Sequence, residues 1–258
     1  MDRKNREVVA VKELRHKWVN SHRMVNYFEN EFRSLERLSH ESTIRPIKLL
    51  KENGSYLIVM EYLRGGSLAD RLRRLFLLDI DTALSITVKI LNVLDVSNVL
   101  RIIHRDIKPS NILFTDETFE HPKLGDFGLA FLSADLLPGS DSGDVAGVVG
   151  TAAYMSPEQL NGANVGIRSD IYSLGITLYK MLTGRLFFAA DMLGENAIRR
   201  TICHPFRERP RHYRSNLPAW LDELVMSMIA FDPNDRPLNP GRILEVIGRK
   251  WAKYGNNR

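Results

Sequence analysis

Apolar positions change their spacing along this chain, and the changes mark its elements. Val8, Val9, Ala10, Val11 and Leu14 form a short β-branched run interrupted by Lys12, which predicts a strand with one charged group turned toward a cleft. Over residues 24–39 the spacing switches to three and four. Met24, Val25, Tyr27, Phe28, Phe32, Leu35 and Leu38 trace one face of an amphipathic helix. Two further strands, Ile47–Leu50 and Tyr56–Met60, flank Asn53-Gly54, a strong hairpin signal. The paired glycines Gly65-Gly66 then mark a flexible connection, so a boundary between two lobes falls near residues 61–65.

The second part of the chain reads as mainly helical. Ser67 is placed to cap a helix over Leu68–Leu75, with Asp70 in the capping-box position. Residues 79–103 form a longer buried helical stretch, with Asp79 and Asp81 at its positive end. Its last residues, Val99 to Ile103, read as a buried, strand-like entry to the next loop. Ile112–Phe114 and Lys123–Gly125 pair as a small hairpin across a turn-prone Thr115-Asp116-Glu117. Residues 126–158 lose all periodicity and are rich in Gly, Ser, Asp and Pro. A strongly apolar helix from Asp170 to about Leu182 ends at Thr183-Gly184, and residues 191–251 supply helices that pack on it.

Composition narrows the class without choosing a function. The 258 residues are 44% hydrophobic and 26% charged, which is ordinary for a globular protein and enough for one large domain or two small lobes. No apolar run has the length of a membrane span, and residues 1–7 lack the apolar core of a secretory signal. Cys203 is the only cysteine, which favours a reducing, cytoplasmic home. A net charge of +5 is compatible with acidic partners, and no Lys/Arg block with interleaved aromatics argues for nucleic acid. Six arginines between Arg199 and Arg214 read as a solvated basic face near a substrate groove.

Chemistry concentrates in His104-Arg105-Asp106-Ile107-Lys108-Pro109-Ser110-Asn111, followed by Asp126-Phe127-Gly128. Proline forbids a continuous helix through the first string, so its charged groups sit on a loop. The hairpin between the two motifs carries an acid at each open end. Two acids and an amide converging on one point suit a hard divalent cation, and a lysine beside them neutralises phosphate oxygens.

These strings resemble the catalytic loop and metal-binding motif of the protein-kinase family, and the resemblance runs from about Val8 to the last helix. It implies a bilobal α+β fold in one domain, residues 1–258. The N-terminal lobe, 1–63, is a truncated antiparallel sheet plus one helix; the C-terminal lobe, 64–258, is larger and mainly helical. Asp106 takes the catalytic aspartate's place and Lys108 is the serine/threonine-type choice. Asn111 and Asp126 take those of the Mg²⁺ ligands. Lys12 contacts the α- and β-phosphates of ATP and pairs with Glu31, with Glu29 and Glu36 as competitors. Ala10 and Leu113 contact adenine, Met60 guards the back of its pocket, and the backbone from Glu61 to Leu63 bonds the base. Asp170 accepts backbone N–H bonds from the catalytic loop.

Gly150-Thr151-Ala152-Ala153-Tyr154-Met155-Ser156-Pro157-Glu158 is similar to the substrate-docking end of the activation segment, 126–158. There Thr151 bonds Asp106 and Lys108, and Glu158 pairs with Arg236. In the family an arginine at the place of Arg105 meets a phosphate on that segment, with Ser133, Ser140 and Ser142 as candidate acceptors here and Asp144 as a fixed negative charge in their stead.

One departure stands at the front. Family members place two strands and a Gly-x-Gly-x-x-Gly loop ahead of the strand lysine, and residues 1–11 hold no glycine. The reading is therefore a serine/threonine protein kinase that transfers the γ-phosphoryl of ATP to protein hydroxyls and to itself, without nucleic acid or a membrane segment. A regulatory module with weak or no phosphotransfer is the alternative, and a small-molecule kinase the lesser one.

Overall fold

The computed structural model describes residues 8–127, 152–187 and 208–255. Three antiparallel strands, β1 (Val9–Glu13), β2 (Pro46–Glu52) and β3 (Ser55–Glu61), lie in the order β1-β3-β2. The β2–β3 turn uses the left-handed residues Asn53 (φ 50°) and Gly54 (φ 81°), the backbone that a tight hairpin requires. Lys12 opposes Ile58 and Ala10 opposes Met60 in the ladder. Side chains alternate along a strand, so these four share one face of the sheet.

Helix α1 (His22–Arg37) begins two residues before its apolar stripe, because Ser21 caps it by accepting the Met24 N–H. Its upper end packs Val25 and Phe28 against Leu14 and Ile58, the small core of the N-terminal lobe. Leu35 and Leu38, at its lower end, belong to the main core of the other lobe. α1 is thus fastened into both.

Helix α2 (Leu68–Leu75) carries the expected capping box: Ser67 Oγ accepts the Asp70 N–H, and the Asp70 carboxylate accepts the Ser67 N–H. Helix α3 (Ile80–Val99) starts from Asp79, which accepts the Thr82 N–H. The sequence reading carried this helix to residue 103 and treated 99–103 as buried and strand-like. Both points are corrected. Val99 is the last helical residue and 79% exposed, and Arg101 turns the chain out of the helix at φ 56°.

The short hairpin of β4 (Ile112–Phe114) and β5 (Pro122–Leu124) is bonded on both outer edges. Gly65 N–H donates to Phe114 O and Phe114 N–H to Gly66 O, both at 3.0 Å. On the other edge Leu124 N–H donates to Ser42 O at 2.8 Å, and Ile44 N–H to Leu124 O at 3.1 Å. The hairpin therefore joins the lobes. Helices α4 (Pro157–Leu160), α5 (Ile167–Thr183), α6 (Pro210–Tyr213), α7 (Ala219–Met228) and α8 (Pro240–Gly255) complete the larger lobe. α5 is almost wholly buried between α3 and α7 and ends at left-handed Gly184, φ 70°.

Two of the clustered arginines are not a free basic face. Arg209 pairs with buried Asp222 at 2.6 Å, and Arg214 donates to Leu78 O at 2.7 Å and Leu182 O at 3.2 Å. Arg199, Arg200 and Arg207 lie outside the described residues.

Candidate active site

A cavity of about 300 Å³ opens between the sheet and the β4–β5 hairpin. Ala10, Val11, Met60, Ile44, Leu35 and Leu113 form its apolar walls, and Lys12, Glu31, Asn111 and Asp126 its polar end. The shared face of β1 and β3 brings Ala10, Lys12 and Met60 together; the hairpin brings Leu113, Asn111 and Asp126. Glu61 and Leu63 are not among the lining residues. Glu61 turns its carboxylate to Lys123 Nζ and to the Arg45 N–H, both at 2.7 Å.

Lys12 Nζ lies 2.6 Å from Glu31 Oε1 and 2.6 Å from Asp126 Oδ1. The expected Lys12–Glu31 pair is present, and Glu29 pairs instead with Arg33 at 3.2 Å. Burial works to lower the Lys12 pKa, but Asp126 and Glu31 outweigh it and hold the amine above its ordinary value. Burial raises Glu31, against the pull of Lys12. Burial also works upward on Asp126, yet the lysine beside it keeps that carboxyl below the usual range. One ammonium thus serves two carboxylates at the same distance.

The loop over residues 104–111 is built around His104 and Asp106. Asp106 Oδ2 accepts from Lys108 Nζ at 2.8 Å and from Asn111 Nδ2 at 2.9 Å, and Asn111 Nδ2 also donates to Asp106 O at 2.8 Å. Burial pushes the Asp106 carboxyl above the ordinary carboxylate range despite these donors, which makes it a better proton acceptor. His104 is completely buried. Its Nε2 meets Gly125 O at 2.9 Å and its Nδ1 accepts the Asp106 N–H at 3.2 Å, so the neutral Nε2–H tautomer satisfies both nitrogens. The ring also packs on Phe127, centroids 4.3 Å apart.

Support comes from deeper layers. Asp170, in the first turn of α5, accepts the His104 N–H at 2.8 Å and the Arg105 N–H at 2.7 Å, as the sequence reading required. Complete burial raises its pKa to about 7, against the lowering effect of those two donors. Glu158 makes a two-pronged pair with Arg236, at 2.6 Å and 2.9 Å. Burial works to raise Glu158, but Arg236 and Ser169 hold it below its ordinary value.

Sequence reasoning missed three groups here. Gln159 Nε2 holds Arg105 O at 2.7 Å, and its place three residues after Ser156 in a capping box was a usable signal. Ile44 at the cavity wall and Lys123 at the Glu61 carboxylate had none, because only the long-range pairing of β5 with residues 42–44 brings them there. Thr151, Ser133, Ser140 and Ser142 lie outside the described residues.

The oxygen donors of Asn111 and Asp126 suit Mg²⁺, which takes one or two protein ligands and completes its shell with phosphate oxygens and water. The apolar walls ahead of them suit a nucleobase. A two-lobed fold with such a cleft defines the class. The protein kinase domain family matches residues 1–251, and the chain belongs to it. Among its named relatives are serine/threonine-protein kinases of bacteria. It is 33% identical over 231 residues to serine/threonine-protein kinase PrkC of Bacillus subtilis, covering 88% of this chain and 34% of that one. It is 35% identical over 237 residues to PknA of Corynebacterium glutamicum, covering 90% of this chain and 48% of that one. The chain thus spans about a third to a half of the length of these relatives. The solved kinase domain of Mycobacterium tuberculosis PknI shares the fold, with a TM-score of 0.69 at 21% identity over 93% of this chain and 84% of that one. Among the described residues no helix is long and apolar enough to cross a membrane.

Proposed function

We propose that this chain transfers the γ-phosphoryl group of ATP to serine or threonine hydroxyls of proteins, itself included. The observation that carries the reading is the single cluster formed by Lys12, Glu31, Asp126, Asn111 and Asp106 at the end of an apolar cavity. Phosphoryl transfer needs positioning and charge stabilisation more than covalent chemistry, and this set supplies both. Lys12, fixed by Glu31, holds the α- and β-phosphates. Asp106 orients the acceptor hydroxyl and takes its proton, while Lys108 beside it offsets charge on the transferred group. Mg²⁺, held by Asn111 and Asp126, neutralises charge on the phosphate oxygens when bound. Ala10, Met60 and Leu113 enclose the base, with the backbone of Glu61 to Leu63 as its hydrogen-bonding edge. A cytoplasmic setting suits the ATP requirement.

The test is transfer from labelled ATP with Mg²⁺ to this chain and to a basic acceptor protein, beside Asp126→Asn. Label in the wild type and none in the variant supports the reading. A wild type that transfers nothing and shows no thermal shift with Mg-ATP refutes it and leaves a binding module of kinase fold.

A further inference from the structure

Arg71 on α2 is 2% exposed, yet among the described residues no carboxylate bonds its guanidinium. Nη1 donates to Thr118 O, while Nη2 donates to Asp116 O at 2.5 Å and to Gly65 O at 3.1 Å. Its flat group lies 3.7 Å from the Phe114 ring centroid and 4.4 Å from that of Phe119. Those two rings meet edge to face at 5.5 Å. Nε has no hydrogen bond among the described residues.

A buried cation bonded to carbonyls and stacked on ring faces, with the Asp116 and Glu117 carboxylates favouring it only from a distance, is a costly way to fill a core. An apolar side chain of similar volume commonly does as well for stability. What the cation does that an apolar group cannot is hold carbonyl oxygens close together. Gly65 O and Asp116 O converge on one nitrogen, and two such dipole ends repel without a positive charge between them. The segments themselves are at closest approach here, since a Cβ on Gly65 would run into the Asp116 carbonyl. Gly65 lies two residues beyond Leu63, and Asp116 two residues beyond Phe114, which follows Leu113.

We propose that Arg71 is a positioning residue for the nucleotide, clamping the inter-lobe connector to the β4–β5 turn and so fixing the gap between the Glu61–Leu63 backbone and Leu113. These are the two sides of the base site, so the inference rests on the ATP reading of the cavity. The phosphate end, built from Lys12, Asn111 and Asp126, has no bond to the clamp and stays as it is.

Steady-state kinetics separate the two ends. Mg-tripolyphosphate, which has no base, serves as a competitive probe of the phosphate end. Arg71→Met is expected to raise KM for ATP about tenfold, with kcat and the tripolyphosphate inhibition constant each changing less than about twofold. Arg71→Lys, which restores a cation to one or two of the carbonyls, is expected to recover part of the loss. A folded Arg71→Met with unchanged KM overturns the proposal. A rise in KM matched by equal changes in kcat and tripolyphosphate binding also overturns it, because that pattern marks a general structural defect. Should Arg71→Met fail to fold, Phe119→Leu carries the same test, with a smaller rise in KM expected and an unchanged KM overturning it. A wild type that binds tripolyphosphate but not ATP refutes the base site itself, and the clamp with it.

Discussion

His104 gives the sharpest quantitative prediction. Both ring nitrogens are satisfied only while the imidazole is neutral, Nε2–H facing Gly125 O and Nδ1 facing the Asp106 N–H. A second proton on Nδ1 would point a donor at a donor. Burial pushes the pKa from the ordinary 6.5 down to about 4, with the Gly125 carbonyl and Asp126 favouring the charged form and Lys108 opposing it. The unfolded chain therefore takes up the proton first. Stability from this group is complete above pH 6.5, declines as pH falls, and levels off near pH 4. At about 1.4 kcal/mol per pH unit the separation amounts to about 3 kcal/mol. His104→Phe fills the site without titrating, and it pays a pH-independent cost of about 2–6 kcal/mol for two unpaired backbone groups. Urea unfolding followed by tryptophan fluorescence at several pH values between 7.5 and 4 measures both. The wild type is expected to lose about 3 kcal/mol more than His104→Phe across that range. Parallel curves for the two proteins would refute the reasoning.

Three further outcomes follow from contacts already described. Lys12→Met leaves Glu31 and Asp126 as neighbouring carboxylates with no cation between them, so kcat/KM for ATP should fall at least about 10²-fold while circular dichroism stays native. Arg236→Met strands the Glu158 carboxylate in the core and should cost about 3–5 kcal/mol by denaturant titration; Glu158→Gln in the same background should recover part of that loss. At Gly175 a Cβ would press on Ile229 Cγ2 and Met228 Cβ, at 2.7 and 2.9 Å. Gly175→Ala should therefore lower stability by about 1–3 kcal/mol through α5–α7 overpacking, and an unchanged melting temperature would contradict that packing.

Much of the site was legible because its chemistry is written in short strings. His104 to Asn111 and Asp126-Phe127 announce a charged cluster, and local rules placed the Ser67–Asp70 capping box and the Asn53-Gly54 turn. Lys12 and Glu31 are nineteen positions apart, and it was the resemblance to the kinase family that paired them. The opaque features are those created by packing. Lys123 reaches Glu61 only because β5 is bonded to residues 42–44, and Arg71 becomes a buried clamp only once Phe119 folds over it. The helix end at Val99 was hidden for a related reason. The apolar residues 99–103 look like one buried run, but the turn at Arg101 sends Val99 to solvent while Ile102 enters the core. Arg214 likewise looked like surface charge until the Leu78 and Leu182 carbonyls came to it.

The double anchorage of α1 limits how the cleft can be switched. Kinases of this shape are readily imagined as turning off by swinging this helix outward and parting the lysine from its glutamate. Here the lower end of the helix is a piece of the larger lobe, with Leu35 1% and Leu38 0% exposed. Pulling both from the core would cost about 3–6 kcal/mol, so the swung-out form would hold only about one molecule in 10² to 10⁴. Glu31 lies between the two anchors, with Val25 and Phe28 fastened to the sheet on one side and Leu35 and Leu38 to the larger lobe on the other, so the Lys12–Glu31 pair is held from both ends.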